Sequence, residues 1–281
     1  MTDLPPWRSL LFVPGSRPDR FAKAAAAGAD LICIDLEDAV APGGKDEARR
    51  ETLAYLAEYR GEAVAGLRVN PPGTEAGEAD LAALRGAPTP AFVMVPKASH
   101  AAELDEVAAA TDAPLIPVVE SARGVLRAAA LADHPAVVAG VFGAIDLAAD
   151  IGCSLDWQAQ LHARSACALA FGAARKLLFD TPYLAVDDAE GLEASTRRAR
   201  ALGLHARTAI HPAQLAPIHA ALTPGEEEVA RAARVVQAFE QAGGGVALLD
   251  GKLLEAPVVK SARRVLSLTR RRAPNASLAR P

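Results

Sequence analysis

Two carboxylates follow neighbouring apolar runs of the chain. Glu120 comes directly after Pro117-Val118-Val119, and Asp146 stands shortly after Phe142. With no Cys or His beside them, two carboxylates suit a hard divalent cation, Mg²⁺ or alternatively Mn²⁺, and leave ligand positions for water and a chelating substrate. Each carboxylate could instead cap the following helix or pair with an arginine such as Arg123. The spacing alone leaves metal binding and these structural roles open.

Arg68 is the charged residue at the end of another apolar run, Ala65-Gly66-Leu67. A guanidinium at that point can hold a carboxylate or carbonyl oxygen through paired donors. It could equally form an ion pair inside the fold with Glu37 or Glu120. The two roles are compatible, so we predict that Arg68 lies at a reactive site.

An acidic cluster follows the apolar run that begins at Leu31. Its members are Asp35, Glu37 and Asp38. They could hold metal-bound waters or orient Lys97, which follows a further apolar run. They could also form a solvated turn in which Asp38 caps a helix.

A basic group lies near the beginning of the chain. Ser16-Arg17-Pro18-Asp19 is similar to a capping box, and we expect it to open a helix over Arg20–Ala27. A helix N-terminus with Arg17, Arg20 and Lys23 nearby can bind phosphate. Surface basic residues are also common on helices, so phosphate binding stays one of two interpretations.

Alternating short apolar runs and longer alanine-rich stretches predict the elements that position these residues. Continuous apolar runs between helices are typical of buried parallel strands, and eight such units favour a (β/α)8 barrel of the α/β class over an open sheet. Function in such a barrel lies on the loops after the strands. The predicted strands are Ser9–Val13, Leu31–Asp35, Ala63–Val69, Ala91–Val95, Leu115–Val119, Val137–Phe142, Lys176–Phe179 and Thr208–Ile210. The predicted helices are Phe21–Ala27, Lys45–Tyr59, Ala79–Leu84, Ala101–Ala110, Ala122–Ala130, Leu161–Ala174, Glu190–Ala201 and Pro212–Ala221.

The chain continues beyond the eighth unit. Thr223-Pro224-Gly225-Glu226 predicts a helix start capped by Thr223, with the helix running to about Gln241. The glycines at 243–245 break it, a last helix follows near Val258–Arg272, and the tail over 273–281 is expected to fray. We therefore divide the chain into a barrel, residues 1–222, and a C-terminal helical extension, residues 223–281.

Composition excludes several classes of protein. A net charge of −4 gives no overall field for nucleic acid, and no apolar stretch reaches the roughly 18 residues of a membrane span. The N-terminal residues lack the apolar core of a signal peptide. Three cysteines, an odd number, cannot form a fully paired disulfide framework, so we expect a cytosolic protein.

Taken together, the motifs resemble the citrate lyase β-subunit-like family of acyl-thioester carbon–carbon lyases. The matching stretches occur in family order and cover nearly the whole chain. They are Arg8-Ser9-Leu10-Leu11-Phe12-Val13-Pro14-Gly15-Ser16-Arg17-Pro18, Asp35-Leu36-Glu37-Asp38-Ala39-Val40, Arg68-Val69-Asn70, Val95-Pro96-Lys97, Val119-Glu120-Ser121-Ala122-Arg123-Gly124, Phe142-Gly143-Ala144-Ile145-Asp146-Leu147, Ala209-Ile210-His211-Pro212 and Asp250-Gly251-Lys252-Leu253-Leu254.

The resemblance implies a barrel whose C-terminal extension reaches a neighbouring subunit, in a homotrimer. It implies Mg²⁺ on Glu120 and Asp146, with Arg68 on the reacting oxygens of the substrate. It also implies that three residues hold a coenzyme A or acyl-carrier arm, namely Phe12, Arg17 and Lys23. Family members cleave 3-hydroxyacyl thioesters, such as citryl, malyl or citramalyl thioesters, into an acyl thioester and a 2-oxo acid. A metal and Arg68 would stabilise the charge that develops.

The sequence departs from the family pattern at two places. Many members carry aspartate near the C-terminus where Glu255 stands, which makes Glu255 the candidate acid–base residue on a longer arm. Many also have lysine before Ala-Ile-His-Pro, where this chain has Arg207-Thr208. Two alternatives remain: a metal-dependent aldolase acting on free 2-oxo acids, which would not need Arg17 or Lys23, and a non-catalytic acyl-carrier-binding subunit.

Overall fold

Eight parallel strands close into a barrel in the computed structural model, which describes residues 7–243 and 247–269. Each strand pairs with the next along the chain, and the first pairs with the last. The strands are β1 (Ser9–Pro14), β2 (Leu31–Asp35), β3 (Val64–Arg68), β4 (Val93–Val95), β5 (Leu115–Val119), β6 (Ala139–Phe142), β7 (Leu177–Asp180) and β8 (Ala206–Ala209). The predicted (β/α)8 fold is confirmed.

Helices surround the barrel and follow the strands in turn. They are α1 (Phe21–Ala25), α2 (Lys45–Glu58), α3 (Glu75–Gly86), α4 (Ala101–Ala110), α5 (Ala122–Leu126), α6 (Ala128–Asp133), α7 (Ala144–Ile151), α8 (Trp157–Ala173), α9 (Ala189–Leu202) and α10 (Leu215–Leu222). Short 3₁₀ turns at Pro18–Arg20, Pro42–Gly44 and Pro212–Gln214 precede α1, α2 and α10.

Strand side chains alternate between the barrel interior and the helix layer, as the pleat requires. The interior is an apolar cluster that includes Leu10, Cys33, Met94, Ile116 and Phe179. The outward residues form two larger clusters with the helices. This alternation decides which polar residues at the strand ends turn inward.

Most predicted elements are present with ends shifted by a few residues, but one barrel helix was missed and another is divided in two. α7 lies where we expected only a loop carrying Asp146, because its eight residues follow a glycine without a polar cap. The helix predicted over Ala122–Ala130 is two helices, since Arg127 leaves helical geometry with φ −113° and ψ 9°.

Both predicted N-terminal caps are wrong. Ser16 donates a hydrogen bond to the Ala39 carbonyl at 3.3 Å instead of capping, and regular helix begins only at Phe21. Thr223 accepts a hydrogen bond from the Arg8 guanidinium at 3.2 Å, and the residue before the C-terminal helix is Gly225. Each side chain found a partner distant in sequence, which a local pattern does not reveal.

The C-terminal segment contains α11 (Glu226–Gln241), a hairpin of β9 (Ala247–Leu249) and β10 (Lys252–Leu254), and α12 (Ala256–Thr269). α11, α12 and β10 share their own apolar cluster. The hairpin was not predicted. Of the expected glycine break, only Gly243 belongs to the described residues; the tail over 273–281 and the predicted end of the last helix lie outside them. The domain boundary after residue 222 stays a prediction.

Within the part of the chain that the structure describes, no helix is both long enough and apolar enough to cross a membrane.

Candidate active site

Strand register brings four of the singled-out residues to one end of the barrel interior. Pro14 pairs with Asp35 and Asp35 with Arg68, so the ends of β1, β2 and β3 are level. Val119 pairs with Phe142, which sets Glu120 beside the start of α7. Because alternate residues point inward, these strand ends meet around one mouth, where a barrel positions its chemistry.

Arg68 is held from three directions. Its Nε and Nη2 donate to the two carboxylate oxygens of Asp35 at 2.7 and 2.6 Å, and Nη1 lies 2.9 Å from Glu37 Oε2. Its guanidinium also stacks 5.1 Å from the centre of the Phe12 ring. Burial lowers the pKa of Arg68, but the hydrogen bonds and charge of Asp35 outweigh burial and raise it above the ordinary value. The group is therefore a permanent cation with a fixed plane.

Glu37 joins Arg68 to Lys97. The Lys97 ammonium lies 2.8 Å from Glu37 Oε1, and Glu37 itself is buried. Burial raises the pKa of Glu37 despite the two cations. Asp38 is exposed and lies 3.9 and 4.0 Å from the same two cations. The acidic cluster thus orients Arg68 and Lys97, as one of the two interpretations predicted.

Glu120 and Asp146 lie close enough for their carboxylates to repel each other. Glu120 is 4% exposed and accepts the Lys97 backbone N–H at 2.7 Å. A methyl group at Gly143 would lie 2.7 Å from Glu120 Oε2, so glycine leaves room for this carboxylate. Burial raises the pKa of Glu120 to about 8, and repulsion from Asp146 and Glu37 adds to the effect. Neither Glu120 nor Asp146 forms an ion pair with another described residue.

The pair fits a hard divalent cation. Both donors are carboxylate oxygens, and a cation between them would remove the repulsion that raises the Glu120 pKa. Among residues 7–243 and 247–269, no three His, Cys, Asp or Glu side chains are grouped to hold a metal. A cation here would take its remaining ligands from water or substrate.

Of the competing structural roles, the Arg68–Glu37 ion pair is present, whereas Glu120, Asp146 and Asp38 cap no described helix. Ser121, not Glu120, caps α5 through the Gly124 N–H at 3.0 Å. Asp146 lies in the first turn of α7, where a carboxylate is favourable, but the capping position is Gly143. Arg68 pairs with Glu37 but not with Glu120. Asp38 caps no helix, because α2 begins at Lys45.

The three residues predicted to hold the thioester arm differ in their exposure and in their contacts. Arg17 is exposed and forms a paired ion contact with Asp19 at 2.7 and 2.8 Å. Lys23 is exposed on α1. This helix has five residues, which is short for the phosphate site that we expected at a helix N-terminus. Phe12 is half-buried under Arg68. Coenzyme binding by Phe12, Arg17 and Lys23 stays a prediction.

Glu255 lies in the C-terminal segment, between β10 and α12. Its side chain is exposed, and its carbonyl accepts the N–H groups of Val258 and Val259 at 2.9 and 3.2 Å. Within one chain it forms no hydrogen bond or ion pair with the strand-end residues that the structure describes. Its catalytic role stays a prediction.

Sequence reasoning missed two contributions to the mouth. Lys97 adopts φ +53°, uncommon for a residue with a side chain, and this lets its backbone reach Glu120. Gly143 makes the space that Glu120 occupies. A proline before Lys97 and a glycine directly after an apolar strand were signals of irregular backbone at both places.

Comparison with known proteins gives a consistent result. The model of the HpcH/HpaI aldolase/citrate lyase family matches residues 8–212. A (3S)-malyl-CoA thioesterase of Cereibacter sphaeroides is 40% identical over 270 residues, covering 93% of this chain and 94% of that protein. A citrate lyase subunit beta-like protein of Mycobacterium tuberculosis is 37% identical over 263 residues, covering 91% and 93%.

Solved structures agree with the fold and with the predicted resemblance. CitE from M. tuberculosis, in complex with magnesium, acetoacetate and coenzyme A, superposes with a TM-score of 0.83 at 35% identity, covering 93% of this chain and 97% of that one. The citrate lyase beta subunit of the same organism, complexed with oxaloacetate and magnesium, gives 0.70 at 36% identity, covering 78% and 97%. With a closed barrel, a paired-carboxylate mouth and relatives along nearly its whole length, this chain belongs to the HpcH/HpaI aldolase/citrate lyase family.

Proposed function

We propose that the protein is a Mg²⁺-dependent lyase that cleaves, or in reverse forms, the carbon–carbon bond of a 3-hydroxyacyl thioester. Citryl-, malyl- and citramalyl-CoA are substrates of this class, and the products are an acyl thioester and a 2-oxo acid. The observation that carries the proposal is the Glu120–Asp146 pair, which forms no ion pair with another described residue and lies at the same mouth as Arg68. Relatives crystallised with magnesium, oxaloacetate and coenzyme A support it.

The cation supplies Lewis-acid polarisation of the 2-oxo acid oxygens. We assign to Arg68 the stabilisation of the negative charge that develops on the thioester oxygen. Asp35 accepts one N–H from Nε and one from Nη2, and Nη1 is ion-paired with Glu37 without a hydrogen bond, so N–H groups on both terminal nitrogens remain for substrate. Because Phe12 and Asp35 fix the guanidinium plane, the donors need no reorganisation during reaction.

A proton must reach the enolate carbon, and Glu255 of a neighbouring subunit is our candidate. In the homotrimer that we propose, the C-terminal segment of one chain covers the mouth of another. Mixing inactive Glu255→Gln and Glu120→Ala variants should then restore part of the activity. A fully active Glu255→Gln enzyme would remove this residue from the mechanism.

The thioester arm is assigned to the exposed rim of the mouth. Arg17 and Lys23 would contact its phosphates, with Phe12 between them and the reacting carbons. We also propose that the enzyme works in the cytosol, in line with its odd cysteine number.

A second candidate is thioester hydrolysis, because four relatives at 38–40% identity are named (3S)-malyl-CoA thioesterase. The aldolase on free 2-oxo acids and the non-catalytic subunit are less supported: the first does not need coenzyme A, which the CitE complex contains, and the second does not need the paired carboxylates.

One assay separates these functions. A panel of 3-hydroxyacyl-CoA thioesters is incubated with Mg²⁺ and scored for both 2-oxo acid and free thiol. A lyase releases the 2-oxo acid without free thiol, whereas a thioesterase releases free thiol alone. Turnover of free 2-oxo acid aldols but not of thioesters would favour the aldolase, and tight coenzyme A binding without turnover would favour the non-catalytic subunit.

A further inference from the structure

A cavity lined by both polar and apolar groups lies between the barrel wall and the helices α8 and α9. It has a volume of about 500 Å³ and is lined by Trp157, Arg164, Tyr183, Ser195, Arg198 and Arg207 among others. Phe179 and Ala206 belong to the interior cluster, so their neighbours Asp180 and Arg207 point outward, beneath α8 and α9. Both side chains therefore lie on the face of the strands opposite to Arg68, while the cavity itself also reaches Ala144, Ile145 and Thr181 in the segments that follow β6 and β7.

Two buried arginines share one buried aspartate beside this cavity. Arg164 Nε donates to Asp180 Oδ1 at 2.9 Å, and Arg207 Nη1 lies 3.4 Å from Asp180 Oδ2. Arg164 is 5% exposed, and Arg207 and Asp180 are each 1% exposed. Buried charges are ordinarily paired, because an unpaired one loses its hydration without compensation. Here one guanidinium charge remains uncompensated.

The hydrogen bonds of the two buried arginines are also incomplete. Arg207 Nη1 donates to the hydroxyls of Ser195 and Thr196 at 3.1 and 3.2 Å, which are neutral partners. Three buried atoms of the cluster have no hydrogen-bond partner among the described residues, namely the two donors Arg164 Nη1 and Arg207 Nε and the one acceptor Asp180 Oδ2. Burial lowers the pKa of Arg207, and repulsion from Arg164 adds to this despite Asp180.

The remaining charges on the wall do not restore balance. Arg198 adds a third guanidinium, and Asp156 a second carboxylate that already accepts the Ser154 hydroxyl at 2.8 Å. Arg164 and Arg198 lie 4.6 and 4.4 Å from the centre of the Trp157 ring. An aromatic face stabilises cations but does not neutralise them. Three arginines thus meet two aspartates, next to aromatic and aliphatic surface.

We propose that this cavity is a second ligand site, which binds the carboxylate or phosphate group of a small anionic metabolite between Arg164, Arg198 and Arg207. The anion supplies the missing negative charge, and the less polar part of the ligand lies against Trp157 and Tyr183. The site is independent of the lyase assignment, because none of its arginines contacts Glu120, Asp146 or Arg68.

The test uses fluorescence of Trp157 in a Trp7→Phe background, in which Trp157 is the one remaining tryptophan. Inorganic phosphate and malonate are titrated separately at constant ionic strength, so that the two anion chemistries are distinguished. Ser195→Asp adds a carboxylate beside Arg207, and Ser195→Asn is its uncharged match. Arg17→Gln controls for anion binding at the rim of the barrel mouth.

We expect a saturable fluorescence change with at least one of the two anions. Ser195→Asp should weaken binding at least about tenfold, since its carboxylate takes the position of the anion. Ser195→Asn and Arg17→Gln should bind within about twofold of the parent. The exposed Arg198→Gln variant, which leaves the buried arginines in place, should also bind more weakly.

Thermal unfolding of the protein with its natural Trp7 gives a second readout. Either anion should raise Tm, and Ser195→Asp should raise Tm without any anion and abolish the further increase. The proposal is overturned if neither anion changes fluorescence or Tm, or if Ser195→Asp and Ser195→Asn bind equally well.

Discussion

The two faces of the barrel wall carry buried charge clusters of opposite imbalance. Inside, at the mouth, Glu120 and Asp146 repel each other, and neither forms an ion pair with another described residue. Outside, Arg164 and Arg207 share the single carboxylate of Asp180. Neither cluster is favourable for the stability of the folded state, because buried charged groups must be fully paired to offset their lost hydration. Each imbalance therefore points to a ligand whose charge is opposite to that of the cluster.

Removing either carboxylate of the mouth should have the largest effect on activity. Glu120→Ala or Asp146→Ala should lower kcat by at least about 10³-fold, since a lost Lewis acid forfeits several kcal/mol of charge stabilisation. Tm should change little, because relief of the repulsion between the two carboxylates offsets the contacts that are lost. Ser195→Asn, a change at the outer cluster, is the matched control and should keep kcat. Full activity of either alanine variant, or in excess chelator, would contradict the metal site.

A substitution of Arg68 tests whether activity needs the paired N–H donors of a guanidinium or only a positive charge. Arg68→Lys keeps the charge but loses the paired donors that Asp35 fixes, so kcat should fall about 10²-fold, as for a lost oxyanion donor. Steady-state kinetics separates the possibilities. A rise in KM alone would make Arg68 a binding group that holds substrate and transition state equally.

The rim of the mouth should show a smaller effect. Arg17→Ala and Lys23→Ala should each weaken coenzyme A binding about tenfold at low salt and less at high salt, because exposed phosphate contacts are screened. Asp19→Asn is the informative control: it releases Arg17 from its ion pair and should strengthen binding. Affinity unchanged in both alanine variants would favour the aldolase on free acids.

In the metal-free protein, the raised pKa of Glu120 should make the free energy of unfolding depend on pH. The Glu120 pKa is raised from 4.5 to about 8, so between these values the folded state holds a proton that the unfolded state has released. The free energy of unfolding should therefore fall as pH rises from about 4.5 to 8, and level off above. Glu120→Gln should flatten this part of the curve measured by urea unfolding. An unchanged slope in that variant would assign the dependence to other groups.

The barrel and the inward residues were predictable because both follow from pattern. Apolar runs of strand length gave the eight strands, and polar residues directly after them gave Asp35, Arg68 and Glu120. The environment of these residues was not predictable. Contacts such as Lys97 N–H to Glu120, or Ser16 to Ala39, depend on backbone geometry and on distant partners.

The outer cluster shows the same limit more strongly. Arg164, Asp180 and Arg207 lie far apart in sequence, and strand alternation brings them together only after the barrel has closed. Arg207 was noted as a departure from the family pattern, but its charge gave no indication that it would be buried. The C-terminal hairpin was missed because its two strands have three residues each.

Direct measurement of Mg²⁺ binding tests whether Glu120 and Asp146 form a cation site at the mouth. Calorimetric titration of the metal-free protein with Mg²⁺, alone and with oxaloacetate present, should give one site per chain, tighter with the 2-oxo acid. Binding should be lost in Glu120→Gln and Asp146→Asn and kept in Ser195→Asp, which alters only the outer cavity. Equal Mg²⁺ affinity in the parent, Glu120→Gln and Asp146→Asn would contradict the account.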